Sequence, residues 1–219
     1  RLNRKPLAYI LEVVEFFGRQ FSVNPSVLIP RQETEVLVEH CIGLLNSSVM
    51  KSPLVADVGT GSGIIATTLA AEIPWLRVVA IDRSTKASAM ALKNSTMLGT
   101  KDTVNCVTGD LLTPLQCKFA LIAANLPYVP TANIKTLQPE VSLHEPNLAL
   151  DGGTDGFNII ERLLYQSQSR ILRGGHIVLE IDPSISSQVL HLCQKYFPGC
   201  RATLLNDLNG DTRVVSIQV

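Results

Sequence analysis

The run LVADVGTGSGIIATTLAAEI, residues 54–73, decides the fold class. Its first five residues form an apolar run typical of a buried strand, and residues 63–73 have the spacing of a helix. Gly59, Gly61 and Gly63 lie between the two, where glycines let the backbone turn tightly and approach a ligand. A strand, a glycine-rich turn and a helix in this order are typical of the ligand-binding edge of an open parallel sheet.

The segments after this run continue the alternation of strands and helices. Strands are predicted at residues 76–82, 103–107, 118–124 and 174–181, and helices at residues 84–98, 156–172 and 184–196. The closing runs ATLLND and TRVVSIQV flank the turn LNG and predict an antiparallel hairpin. We therefore predict an α/β fold whose parallel sheet ends in an antiparallel hairpin.

The pattern before residue 54 differs from this alternation. AYILEVVEFFGRQFSV has hairpin character around Gly18, and RQETEVLVEHCIGLL predicts a helix that begins near Arg31 and Glu33. We therefore divide the chain into an N-terminal hairpin and helix, residues 1–53, and an α/β core, residues 54–219.

Composition limits the class of protein. The chain has 219 residues, 46% of them hydrophobic and 17% charged, which predicts one compact domain with a substantial core. Lys plus Arg equals Asp plus Glu at 19 each, so no basic field favours a nucleic-acid partner. No apolar run approaches the roughly 20 residues of a membrane span, so no membrane partner is expected.

The cysteines and histidines carry no metal signature. Five scattered cysteines without a C-x-x-C pair indicate reduced thiols in a cytosol-like compartment. The four histidines are widely separated and lack the spacing of metal ligands. We therefore predict no metal site.

The glycine loop indicates a ligand that contains adenosine. Asp82 ends the next predicted strand, 19 residues after Gly63, where a carboxylate can accept both ribose hydroxyls. A dinucleotide fingerprint would place Gly or Ala at position 64, which is Ile64, so a nicotinamide-dependent oxidoreductase is disfavoured. The spacing G-x-G-x-G after Asp57 instead resembles the loop of S-adenosylmethionine-dependent methyltransferases. A glycine-rich turn without a ligand is the alternative, and the placement of Asp82 argues against it.

The stretch ANLPYVP, residues 124–130, follows the fourth predicted strand of the core. Asn125 offers a side-chain oxygen and residue 126 a carbonyl, so together they can accept both hydrogens of a planar NH2 group. Pro127 restricts the preceding residue to extended geometry, and Tyr128 offers a flat face for stacking. A proline turn with Asn125 as a local cap is the alternative.

An amide or aromatic amine is a poor nucleophile, because its lone pair is delocalised. Catalysis by this stretch must therefore rest on positioning: two acceptors hold the nitrogen near the methyl donor and favour the positive charge that develops on it.

Seven stretches together resemble the HemK/PrmC-type methyltransferases, which modify the glutamine of the Gly-Gly-Gln motif in class 1 peptide-chain release factors. They occur in the family's order and approximate spacing over essentially the whole chain: PLAYIL, EFFG, FSVNPSVLIPRQETE, DVGTGSG, NLPYVP, EPNLALDGGTDG and DLNGDTRVV. The combination of IPRQETE with DGGTDG is far more specific than the glycine loop.

The resemblance implies a Rossmann-like class I methyltransferase fold with seven strands, and a family N-terminal helical domain that we expect to be absent here. It implies S-adenosylmethionine as the cofactor, bound by Asp57, Gly59, Thr60, Gly61, Ser62, Gly63, Asp82, Asp110, Leu111 and Asn125. The glutamine would be held by Asn125, Leu126, Pro127 and Tyr128. A class 1 release factor is the implied partner, in the cytoplasm or, if a targeting segment was removed, in an organellar matrix.

Two positions depart from the family pattern. The family usually has a proline where Leu126 stands and often an aromatic residue where Leu111 stands. The spelling NLPY is also familiar from rRNA adenine dimethylases, although those enzymes lack IPRQETE and DGGTDG. An adenine amino methyltransferase that acts on RNA or DNA, and a catalytically silent binding protein on the same fold, are therefore the alternatives.

Overall fold

The computed structural model describes residues 3–50 and 52–219. The helices are α1 Leu7–Leu11, α2 Thr34–Ser47, α3 Ile64–Glu72, α4 Thr85–Met97, α5 Pro139–Ser142, α6 Asn158–Ser167 and α7 Ser186–Tyr196. The strands are β1 Val13–Phe16, β2 Arg19–Ser22, β3 Leu54–Val58, β4 Arg77–Asp82, β5 Val104–Thr108, β6 Phe119–Asn125, β7 Ile171–Glu180, β8 Arg201–Asn206 and β9 Thr212–Gln218.

Seven strands form the central sheet in the order β5-β4-β3-β6-β7-β9-β8. Strands β3 to β7 pair in parallel, and β9 lies antiparallel between β7 and β8. The predicted α/β class with a closing antiparallel hairpin is confirmed. The chain leaves β3 toward β4 on one side and later returns to β6 on the other, so a crevice opens at the carboxyl ends of β3 and β6.

Two apolar layers cover the sheet, one on each face. Ala56 and Val58 of β3 pack with residues of α6 and α7, whereas Val55 packs with residues of α2 and α3. The N-terminal hairpin joins the second layer through Phe16 and Phe21. Because both faces are covered, the central strands are largely apolar and do not alternate regularly with polar residues.

The start of β7 differs from the prediction. Residues 171–172 were assigned to the preceding helix, but α6 ends at Ser167 and β7 already begins at Ile171, which pairs with Phe119. Gly174, with φ of +76°, and Gly175 lie where the pairing shifts register, and the strand continues through this irregularity. A short apolar run does not by itself distinguish helix from strand, so this boundary prediction was wrong.

The N-terminal hairpin turns at Gly18, as predicted, and is attached to α2. The backbone N–H of Phe17 donates to Glu35 Oε1 at 2.7 Å. Helix α2 begins at Thr34, directly after Glu33, which agrees with the helix start expected there.

The long loop after β6, residues 126–157, folds back on itself and reaches α6. Val129 donates its N–H to Leu150 O at 3.0 Å and accepts from Gly152 N at 2.9 Å. The loop contains α5 and two short 3-10 turns, Thr131–Thr136 and Asn147–Ala149. Within the described part of the chain, no helix is both long and apolar enough to cross a membrane.

Candidate active site

A cleft of about 610 Å³ lies in the crevice where the strand order reverses. Four segments at the strand ends line it, namely residues 59–62, 82–84, 109–111 and 125–127. The segment before α2, the loop before α6 and the first turns of α6 complete the walls. A volume of roughly 300–1,000 Å³ is usual for a small-molecule or cofactor site.

Ten of the residues predicted from sequence line this one cleft: Gly59, Thr60, Gly61, Ser62, Asp82, Asp110, Leu111, Asn125, Leu126 and Pro127. Three predicted residues, Asp57, Gly63 and Tyr128, do not line it. No ligand contact tests any of these assignments, so the roles of all thirteen stay predictions.

The glycine loop requires glycines for its conformation and for close packing. Gly59, Gly61 and Gly63 have φ values of +76°, +56° and +82°, where a side chain is strained. A Cβ on Gly59 would lie 2.8 Å from Leu126 Cδ2. The loop therefore lies directly against the stretch that is expected to bind the acceptor.

Asp57 supports the glycine loop from behind. The side chain is fully buried, and its Oδ2 accepts from Thr60 Oγ1 at 2.6 Å and from Ala66 N at 3.0 Å. Burial raises the pKa of Asp57 to about 6, while these two hydrogen bonds oppose the rise. Its position fits the shaping of the loop better than direct contact with a ligand.

Asp82 presents an ordered carboxylate to the cleft. Its Oδ2 accepts from Gly61 N at 2.9 Å and its Oδ1 from Ser84 N at 2.8 Å. Burial raises the pKa of Asp82, and the two backbone donors oppose that rise. Each carboxylate oxygen retains a lone pair for a further donor, which fits the expected ribose hydroxyls.

The segment after β5 is fixed to α6. Asp110 forms an ion pair with Arg162, and Leu112 N donates to Gln166 Oε1 at 2.8 Å. Leu111 is buried with a φ of +51°. Sequence reasoning missed Arg162, because nothing in the spacing of α6 indicates which residue faces the cleft.

The stretch expected to hold the methyl acceptor, residues 125–128 and called the acceptor stretch below, begins at the end of β6. Asn125 Nδ2 donates to Thr34 Oγ1 at 3.2 Å, and the Leu126 side chain is buried. Tyr128 packs against the apolar core, and burial together with the charge of Glu180 raises its pKa to about 12. The cleft wall here includes Asn125, Leu126 and Pro127, and it does not include Tyr128.

A partly buried ion pair joins two walls of the cleft. Arg31 Nη2 lies 2.5 Å from Glu145 Oε1, and Ile29 N donates to Glu145 Oε2 at 3.2 Å. The Glu145 side chain is 1% exposed and that of Arg31 is 34% exposed. The pair holds the segment before α2 against the loop before α6, which sequence reasoning had treated as separate features.

Replacing Arg31 with alanine is expected to lower the free energy of unfolding by about 2 kcal/mol, because the buried Glu145 carboxylate loses its partner. Urea denaturation of wild type and variant measures the difference. Arg4→Ala is the matched control, since the Arg4–Glu140 pair is exposed on the Arg4 side, and its loss is expected to cost less than about 1 kcal/mol. Equal losses in the two variants would contradict the clamping role of Arg31.

The five cysteines are free thiols. Among residues 3–50 and 52–219, no group of three or more His, Cys, Asp or Glu side chains is arranged to hold a metal ion.

The fold is that of the class I S-adenosylmethionine-dependent methyltransferases. Residues 32–142 match the family described as methyltransferase small domain. A solved structure of a Thermus thermophilus 16S rRNA N2 G1207 methyltransferase in complex with AdoMet and guanosine has a similar fold. It superposes with a TM-score of 0.68 at 15% identity over 94% of this chain and 49% of that one.

Relatives with higher sequence identity show which family of this class the chain belongs to. The release factor glutamine methyltransferase of Geobacter sulfurreducens is 38% identical over 98% of this chain and 74% of its own length. That of Thermosynechococcus vestitus is 36% identical over 99% of this chain and 75% of its own. The chain belongs to the release factor glutamine methyltransferase family, which confirms the resemblance seen in its motifs. It spans about three quarters of the length of these two relatives.

Proposed function

We propose that this protein methylates the side-chain amide nitrogen of the glutamine in the Gly-Gly-Gln motif of a class 1 peptide-chain release factor, with S-adenosylmethionine as donor. Membership of the family supports the reaction and the partner. One structural observation carries the proposal: the glycine loop and the acceptor stretch meet in one cleft, where Leu126 packs against Gly59.

The residues of the cleft fit S-adenosylmethionine. When bound, this cofactor supplies an electrophilic methyl group on a sulfonium. In this proposal Asp82 accepts the ribose hydroxyls, and Asp110 and Leu111 lie beside adenine. All three residues line the cleft, which supports these roles. The loop of residues 59–62 supplies a surface without bulky side chains for the remainder of the molecule.

The acceptor amide is positioned by two oxygens. Asn125 Oδ1 and the backbone carbonyl of Leu126 accept the two N–H groups of the glutamine side chain, which orients the nitrogen lone pair toward the donor. Pro127 fixes the direction of that carbonyl, because the residue before a proline is restricted to extended geometry. No strong base is required, since the glutamine nitrogen becomes acidic only as its bond to the methyl group forms.

Parallel reactions with different acceptors test this function. Release factor, RNA and DNA are each incubated with enzyme and S-adenosylmethionine, and mass spectrometry locates the methyl group. We expect N-methylglutamine in the peptide that contains Gly-Gly-Gln and unmodified nucleobases. Methyladenine together with an unmodified release factor would overturn the proposal in favour of a nucleic-acid methyltransferase.

A further inference from the structure

A buried polar cluster lies behind Asn125, at the carboxyl end of the sheet. Asn125 of β6 and Glu180 of β7 are paired residues on adjacent parallel strands. Thr34, the first residue of α2, is fully buried, contacts Asn125 and borders the cleft. Glu180 is only 2% exposed, and its Oε2 has no hydrogen-bond partner among the described residues.

The contacts within this cluster connect the three side chains. Asn125 Nδ2 donates to Thr34 Oγ1 at 3.2 Å. Burial raises the pKa of Glu180 to about 7, and hydrogen bonds from Thr34 and Asn125 oppose the rise. Arg213 on β9 also lowers the pKa of Glu180, whereas Glu33 before α2 raises it. Tyr128, in the loop after β6, lies near the charges of Glu180, Arg213, Asp182 and Arg31.

The chemistry of these groups sets the direction of each hydrogen bond. An ionised carboxylate only accepts, so the Thr34 hydroxyl must donate to Glu180. The oxygen of Thr34 then accepts from the NH2 group of Asn125, as observed. The NH2 group of Asn125 is then engaged by Thr34, and Oδ1 is the atom of the amide that remains available to a ligand.

We propose that Thr34 and Glu180 are positioning residues that fix the orientation of the Asn125 amide, so that its oxygen and not its NH2 group faces the acceptor. This inference rests on the proposed function, because the orientation matters only if the acceptor is the NH2 group of glutamine, which donates hydrogen bonds. In one orientation the Asn125 amide accepts a hydrogen bond from the NH2 group of the substrate. After a rotation of 180° it would present its own NH2 group and repel the substrate.

Thr34→Val removes the hydroxyl and keeps the shape of the side chain. We expect kcat/KM for the release factor to fall about 30-fold, mostly in kcat, with the Kd for S-adenosylmethionine nearly unchanged. Thr34→Ser restores the hydroxyl and is expected to recover most of the loss. Thr68→Val is the matched control, because Thr68 is buried in α3 outside the cleft and its Oγ1 has no hydrogen-bond partner among the described residues.

The pH dependence provides a readout that a merely structural role would not change. Ionised Glu180 fixes the amide, so kcat/KM of wild type is expected to rise with pH through a group with a pKa of about 7. Glutamine at this position both donates and accepts hydrogen bonds and does not titrate. Glu180→Gln is therefore expected to lower kcat/KM and to remove its rise with pH near 7. The inference would be overturned if kcat/KM of Glu180→Gln rose with pH near 7 as in wild type, or if Thr34→Val kept the wild-type kcat/KM.

A second readout does not depend on methyl transfer. The side-chain NH2 signals of Asn125 in nitrogen-15 NMR spectra are expected to shift with pH near 7 in wild type and to lose this shift in Glu180→Gln. A wild-type protein that shows the shift but never modifies a release factor would refute the proposed function alone. Active protein whose Asn125 signals do not respond to pH or to Glu180→Gln would refute the positioning role alone.

Discussion

Replacing Asn125 with alanine is expected to remove turnover while leaving cofactor binding nearly intact. The variant loses the side-chain oxygen that accepts one N–H of the substrate amide. Asn125 is also implied to contact the cofactor, but the glycine loop and Asp82, which supply most of that site, remain in place. Loss of one such preorganised polar contact typically lowers kcat by about 10²–10³-fold. Single-turnover methyl transfer measures the chemical step, and calorimetry measures binding of S-adenosylmethionine.

Asn133→Ala is the matched control for this variant. Asn133 is exposed in the 3-10 turn after β6 and does not line the cleft, so its replacement is expected to change neither quantity. Equal loss of binding and turnover in Asn125→Ala would contradict the assigned role, because the residue would then serve mainly to hold the cofactor or the fold.

Gly59→Ala is expected to weaken cofactor binding by about 30-fold or more, since backbone strain of this kind costs roughly 1–3 kcal/mol and further packing must be displaced. Gly59 has a φ of +76°, and an added Cβ would lie 2.8 Å from Leu126 Cδ2. Both effects move the loop away from its position against the acceptor stretch. Calorimetric titration with S-adenosylmethionine measures the change in affinity.

Gly43→Ala separates this local effect from a general effect of replacing glycine. Gly43 lies within α2, and a Cβ there would meet nothing within 4 Å. The change is expected to stabilise the protein by roughly 0.5–1 kcal/mol and to leave the affinity unaltered. Wild-type affinity in Gly59→Ala would show that the loop tolerates a side chain and would contradict the cofactor role assigned to it.

The placement of the cleft was predictable from sequence, because topology brings the ends of parallel strands together. Asp82 and Asn125 are far apart in the chain, yet each ends a parallel strand that pairs with β3. Recognising the strands from their apolar runs was therefore sufficient to predict that both residues would line one crevice.

The pairing of individual side chains was not predictable in this way. The ion pair of Arg31 with Glu145 and the hydrogen bond of Asn125 with Thr34 join distant segments, and neither leaves a periodic signal in the sequence. The proximity of Glu180 to Asn125 depends on the register between β6 and β7. The side chain of Tyr128 likewise packs on the core instead of lining the cleft, because a proline fixes the backbone but not the direction of the next side chain.

The central claim is tested most directly by transfer of a labelled methyl group from S-adenosylmethionine to a purified class 1 release factor. The same factor with its Gly-Gly-Gln glutamine changed to alanine is the matched acceptor. Label on the first factor and none on the second is the predicted result. Equal label on both would place the methyl group on another residue, and no label on either by a protein that binds the cofactor would contradict the proposed acceptor.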